Sequence, residues 1–166
     1  MQSRSTWPQT CPIGVAFGAK SGNADMPSRF VDASVFVHAY LKPRRRLKDH
    51  EEKIKAHARA IITRINRGEA VVTSSVHLAE VANILEDRMP LEDARTIQLG
   101  LCSRETVTVL SVGRSDVIDA LALGSDKGVG TSDALAAVLM QSNGLTELYS
   151  FDRDFDRIEG LRRVDR

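Results

Sequence analysis

Cysteine is scarce: Cys11 and Cys102 are the only two, they form no CxxC pair, and their spacing matches no zinc site. A disulfide framework is therefore excluded, and a reducing, cytoplasmic setting is the expectation. Long apolar runs are also missing. None approaches the ~18 residues a membrane helix needs, so no membrane partner is expected. Charge of one sign is not in excess either, with Lys+Arg 23 against Asp+Glu 22 and a net charge of +1. No general basic field announces a nucleic-acid coat protein; a nucleic-acid partner would have to be gripped locally or through a metal ion. Several catalytic signatures are absent too. His50-Glu51 is followed by Ile54 where a metalloprotease helix needs His, and no GxSxG elbow supports a serine nucleophile. Gly124, Gly128 and Gly130 lead into Thr131-Ser132-Asp133 without the Gly-Lys-Ser/Thr of a phosphate loop, and read as a tight turn. The alternation Asp152, Asp154, Asp156 resembles a calcium loop, but Arg157 and Arg163 stand where Gly and Glu belong.

What is present suits one compact domain: 166 residues, 42% hydrophobic and 27% charged. Residues 1–28 are rich in small and polar residues and read as a flexible arm or a non-native extension, with Met26 as an alternative start. Pro12 and two glycines interrupt the mildly apolar stretch there, against a signal peptide. Residues 29–166 form the domain. Short β-rich runs alternate there with helical ones. Phe30-Val31 leads into a helix over 35–40 that Ser34 can cap and Pro43 ends. A helix over 49–67 carries Ile54, Ala58, Ile61, Ile62 and Ile65 on one stripe, up to Gly68. Strands are expected at 70–73, 106–110 and 148–151, with a short fifth at 161–164. Helices are expected from Ser74 or Ser75, over 90–102, over 115–123, and over 133–141 with Thr131-Ser132 as its cap. Strands separated by helices demand a parallel sheet covered on both faces, and functional groups then gather beyond the carboxyl ends of the strands.

That rule singles out four acids. Asp32 ends the first strand, Glu80 lies in the helix leaving the second, Asp133 opens the helix before the fourth, and Asp152 follows the fourth. Each has a plainer reading. Asp32 suits a helix cap, Glu80 a solvated helix face, Asp133 a helix-dipole partner, and Asp152 the start of an Asx turn. Converging carboxylates repel one another and take up protons unless a hard cation such as Mg²⁺ or Mn²⁺ sits among them.

Four segments resemble the PIN-domain family, and within it the VapC-type toxin ribonucleases of prokaryotic toxin–antitoxin pairs. They are Val31-Asp32-Ala33-Ser34-Val35, Val76-His77-Leu78-Ala79-Glu80-Val81, Thr131-Ser132-Asp133-Ala134-Leu135-Ala136-Ala137 and Ser150-Phe151-Asp152-Arg153-Asp154-Phe155. The resemblance runs from about residue 29 to the C-terminus. It implies a three-layer α/β/α sandwich on a parallel sheet of four to five strands. It also implies a Mg²⁺- or Mn²⁺-dependent endoribonuclease, an antitoxin partner and a homodimer. Asp32, Glu80, Asp133 and Asp152 carry over as catalytic metal-site carboxylates, with Asp154 the alternative to Asp152. Ser34 and Thr131 or Ser132 are candidates to orient those carboxylates or to hold metal-bound water; helix capping is their other reading.

The densest positive charge is Lys42-Pro43-Arg44-Arg45-Arg46-Leu47-Lys48. Arg44, Arg45 and Arg46 are candidate RNA phosphate contacts, or else a solvated turn. Two other functions stay open beside the nuclease. One is a non-catalytic module of the same fold that binds RNA or metal. The other is a hydrolase with an aspartyl nucleophile at Asp152.

Overall fold

A computed structural model describes residues 29–164. The arm expected over 1–28, and the choice between Met1 and Met26, lie outside the described residues. Five parallel strands form one sheet in the order β3-β2-β1-β4-β5. They are β1 (Arg29–Val31), β2 (Val71–Ser74), β3 (Val107–Leu110), β4 (Glu147–Tyr149) and β5 (Arg162–Arg163). Between them lie α1 (Ala33–Tyr40), α2 (Asp49–Asn66), α3 (Ser75–Arg88), α4 (Leu91–Cys102), α5 (Arg114–Lys127) and α6 (Thr131–Ser142). A 3-10 turn, Asp154–Arg157, follows β4.

The pleat sorts the core into two layers, because successive strand side chains point to opposite faces. Val31, Val71 and Tyr149 pack with Val35, Phe36, Ile61, Ile65 and Leu85 of α1, α2 and α3. Their neighbours Phe30, Val72 and Leu148 pack on the other face with Ala136, Ala137 and Met140 of α6 and with Phe155. The apolar stripe of α2 is the buried one, with Ala58, Ile61, Ile62 and Ile65 inside. The α/β/α sandwich expected from the alternation of elements is the observed architecture.

Boundaries differ in instructive ways. Asp32, not Ser34, is the N-cap of α1, its carboxylate accepting from the Ser34 backbone N–H. The helix ends at Tyr40, three residues ahead of Pro43, and Lys55 donates to the carbonyl oxygens of His38 (3.0 Å) and Leu41 at that end. Gly124 is not part of a turn. It lies inside α5, where a Cβ would meet the Val129 carbonyl at 3.1 Å and Ala134 at 3.5 Å. The turn is left to Gly128, whose φ of 66° is the left-handed region glycine adopts freely. Neither Thr131 nor Ser132 caps α6, which begins at Thr131 after Gly130 with no side-chain cap bond. The fourth strand lies at 147–149, one residue earlier at its start and two at its end than the apolar run suggests.

At the amino ends of the strands an ion network ties the layers together. Arg29 pairs with Glu69 at 3.1 Å and Glu147 at 2.8 Å, and Arg64 reaches Glu69 at 3.1 Å. The Tyr149 hydroxyl donates to Glu69 at 2.6 Å.

Candidate active site

The strand order places a switch point between β1 and β4. The chain moves outward from β1 through β2 to β3, then crosses to the far side of β1 for β4 and β5. In open parallel sheets the crevice for a ligand opens at that point, beyond the carboxyl ends of the strands. Asp32 follows β1 there and is buried, 6% exposed. One of its oxygens is fully engaged: Oδ2 accepts from the Ser34 backbone N–H (3.2 Å), the Ser34 hydroxyl (2.5 Å) and the Ser150 hydroxyl (2.9 Å). Ser150 follows β4, so this bond spans the switch point. The same two hydroxyls accept from the backbone N–H groups of Phe151 (3.2 Å) and Asp152 (3.0 Å), which orders the chain leaving β4.

Below Asp32 lies a residue that sequence reasoning did not single out as functional. His77 is fully buried, its ring edge-on to Phe30 with centroids 5.1 Å apart. Nδ1 lies 2.7 Å from the hydroxyl of Ser74, which also caps α3 by accepting from the His77 backbone N–H. Nε2 has no hydrogen-bond partner and stands 3.9 Å from Asp32 Oδ1. Burial holds the imidazole pKa below its usual value, against the charges of Asp32 and Glu80 and the nearby Ser132 carbonyl, which favour the protonated ring. One signal was available in the sequence. In Ser74-Ser75-Val76-His77 a capping serine precedes by three residues a side chain that can fold back on it.

Glu80 and Asp133 come from the helices on opposite faces. Glu80, half-buried in α3, accepts at Oε2 from the Ser132 hydroxyl at 2.9 Å. Ser132 rather than Thr131 is therefore the α6 hydroxyl that engages a candidate acid; Thr131 is exposed. Asp133, half-buried on the first turn of α6, has its carboxyl pKa pushed up to about 7. Burial is the largest cause, followed by the charges of Asp152, Asp32, Asp154 and Glu80 in that order. Five carboxylates from four segments of chain thus act on one another across the crevice. Asp152 is exposed, and its Oδ1 accepts from the Asp154 backbone N–H at 2.9 Å, so it also opens the expected Asx turn.

Asp32, Glu80 and Asp152 are each drawn to a separate partner. Among the described residues, no three Asp, Glu, His or Cys side chains stand within common reach of one ion as they lie. The donor set is nonetheless one of hard carboxylate oxygens, and two features mark unmet demand: the raised pKa of Asp133 and the unpartnered Nε2 of His77. Those features suit a divalent cation.

The basic loop lies between α1 and α2 and is exposed. Arg45 is committed to Glu51 by a two-pronged bridge, 2.9 and 2.6 Å, which holds that carboxyl down to about 2. Arg44 makes a long 3.4 Å contact to the Arg88 carbonyl. Of the three candidate RNA contacts, Arg44 and Arg46 are thus the freer.

The comparisons with known proteins agree with this architecture. The VapC20 toxin of Mycobacterium tuberculosis, described as cleaving the sarcin–ricin loop, superposes with a TM-score of 0.60 at 22% identity, over 78% of this chain and 93% of that one. The PAE2754 protein of Pyrobaculum aerophilum superposes with a TM-score of 0.58 at 19% identity, over 86% and 93%. No curated protein matches the sequence. The PIN domain family model matches residues 29–161, which include all four acid-bearing segments. With the acids gathered at the switch point of a sheet shared with these structures, the chain belongs to the PIN domain family.

Proposed function

We propose that the protein is a metal-dependent endoribonuclease that hydrolyses RNA phosphodiester bonds, and that it acts as the toxin of a toxin–antitoxin pair. The observation that carries the reading is Asp133 at the crevice, whose carboxyl pKa is pushed up to about 7, first by burial and then by the charges of four other carboxylates brought near it from three other segments of the chain. Asp32, Glu80, Asp133 and Asp152 would hold the ion, Mg²⁺ or Mn²⁺, with Asp154 the alternative to Asp152. Such an ion polarises a phosphodiester and lowers the pKa of bound water. The chain's own residues do the positioning. Ser34 and Ser150 fix Asp32 through Oδ2, leaving Oδ1 toward His77, and Ser132 fixes Glu80. Asp133, whose carboxyl pKa burial and the neighbouring acids raise, would be the acid most sensitive to a cation among them. The free cations of the basic loop, Arg44 and Arg46, supply phosphate contacts that do not depend on sequence.

The proposed partner is a small inhibitory antitoxin, as the motif resemblance to VapC-type toxins implies, whose gene would lie beside this one. A homodimer is the proposed assembly. Val117, Ile118 and Leu121 form an exposed apolar side of α5 available for it, and sedimentation measures it. The cytoplasm is the proposed location; among the described residues no helix is long and apolar enough to cross a membrane.

The decisive experiment incubates the full chain with a panel of single-stranded and looped RNAs, with Mn²⁺, Mg²⁺ or EDTA. Cleavage in the first two, lost in EDTA and in Asp32→Asn and Asp133→Asn, supports the enzyme. Intact RNA throughout, with RNA or Mn²⁺ still bound, favours the non-catalytic module instead, the reading to which the separately engaged carboxylates lend weight. Neither outcome needs a phosphoenzyme; phosphate trapped on Asp152 would return the aspartyl-nucleophile alternative.

A further inference from the structure

A cavity of about 350 Å³ opens beside the carboxylate crevice, where the end of α1, the basic loop, the start of α2 and the end of α3 meet. Its apolar floor includes Val37, Leu41 and Ile54. Five cationic side chains and one acid line it, in a chain whose net charge is +1. The acid, Glu51, is neutralised by its bridge to Arg45. Lys42 and Arg44 stand exposed on the rim, while Lys55 spends two of its three N–H donors on the carbonyls that end α1.

His38 joins this cavity to the acids. It lines the cavity, its ring is edge-on to Phe151 with centroids 5.5 Å apart, and Phe151 directly precedes Asp152. It stands six residues along α1 from Asp32, about 9 Å at the helical rise, and feels that carboxylate's charge. An exposed aromatic ring, an apolar floor and a cationic rim form the combination that receives an unstacked base with its phosphate.

We infer that this cavity is a subsite for one unpaired nucleotide of the RNA, its base against His38 and the apolar floor and its phosphate on Lys42 and Arg44. The inference rests on the RNA reading of the neighbouring acids and adds to it that the substrate must present a splayed base beside the scissile bond. Duplex RNA, with its bases stacked and paired, cannot fill the cavity.

Fluorescence anisotropy in EDTA tests this without turnover, using the full chain and a labelled single-stranded RNA. His38→Ala is expected to weaken binding about tenfold, and that loss should disappear for an oligonucleotide carrying an abasic site at one position. Lys42→Ala with Arg44→Ala should weaken binding to both oligonucleotides and lower the salt slope by about one per lost phosphate contact. Arg95→Ala, an exposed cation on α4, serves as the control and should change little. All of these are surface positions, and a melting curve confirms that each variant folds. The subsite is overturned if His38→Ala and the double variant bind as wild type, if duplex binds as well as single strand, or if every abasic position leaves the His38 effect unchanged. An acidic protein segment that displaces no RNA yet loses binding in the same variants would also overturn it. Cleavage assays separate this from the enzyme reading: binding that depends on the cavity with no cleavage in Mn²⁺ keeps the subsite and removes the nuclease. Cleavage with variant-insensitive binding does the reverse.

Discussion

His77 Nε2 faces Asp32 Oδ1 across 3.9 Å of protein interior, too far for a hydrogen bond. The other oxygen of the same carboxylate accepts three hydrogen bonds. The asymmetry makes Oδ2 the anchor and Oδ1 the free face. His77→Phe keeps the ring's volume against Phe30 but takes from the buried Ser74 hydroxyl its Nδ1 partner as well as removing the unpartnered Nε2, which should cost about 1–3 kcal/mol. His77→Ala leaves a cavity under the sheet and should lose about 2–4 kcal/mol. Urea unfolding of the two variants distinguishes packing from polarity.

Ser150→Ala removes one of the three bonds on Oδ2 and also frees the Asp152 backbone N–H. Loss of such an outer partner typically weakens metal binding by about 10–100-fold. Calorimetric titration with Mn²⁺ should show that weakening, with only a small change in melting temperature. An unaltered affinity would mean that Asp32 is held well enough by Ser34 alone.

The Asp133 carboxyl gives a pH signature. Its folded pKa of about 7 lies above the usual value of 3.8, so the folded state binds the proton more tightly than the unfolded chain. That stabilisation is complete below 3.8 and is lost as pH rises through 7. In EDTA, wild type should therefore lose stability between pH 5 and pH 8 relative to Asp133→Asn, which lacks the titrating group. Saturating Mn²⁺ should raise the wild-type melting temperature more at pH 8 than at pH 5.

Glu69 tests the opposite end of the sheet. It accepts from Arg29, Arg64 and Tyr149 at once, and Tyr149 is 2% exposed. Glu69→Ala leaves a buried hydroxyl and two cations without that acceptor, which should cost about 1–3 kcal/mol in urea unfolding. RNA cleavage per folded molecule should be unchanged, because Glu69 precedes β2 at the amino end of the strands.

How much of this was legible beforehand depends on the kind of information each residue needs. Asp32 and Asp152 could be placed from local patterns, since an acid directly after a strand lies at the carboxyl edge of any parallel sheet. The helices with a clear apolar stripe, α2 above all, were equally plain. Ser150 and His77 were not, because their importance depends on which strands are neighbours. Ser150 matters since β4 crosses to lie beside β1, and no periodicity encodes that order. The caps were legible in part: Asp32 does cap α1, whereas Ser34 does not and neither Thr131 nor Ser132 caps α6. Ser34 and Asp32 both suit an N-cap, and the extended backbone of Asp32 with its bond from the Ser34 N–H shows which is used. Ser132 likewise turns to Glu80, a residue 52 positions away. The bridge from Arg45 to Glu51 was not legible either, because it joins the loop to the first turn of α2.

The Ser150 hydroxyl reaches Asp32 across 118 positions of sequence. A contact of such separation forms more slowly than a helix winds, and it needs β4 in place beside β1. A nascent polypeptide emerging from the ribosome with β1, β2 and β3 already paired would still lack the hydroxyl that steadies Asp32 and the two acids beyond it. The carboxylate at the end of β1 would therefore gain its full set of hydrogen bonds, and Asp152 and Asp154 would come beside it, only once β4 has docked.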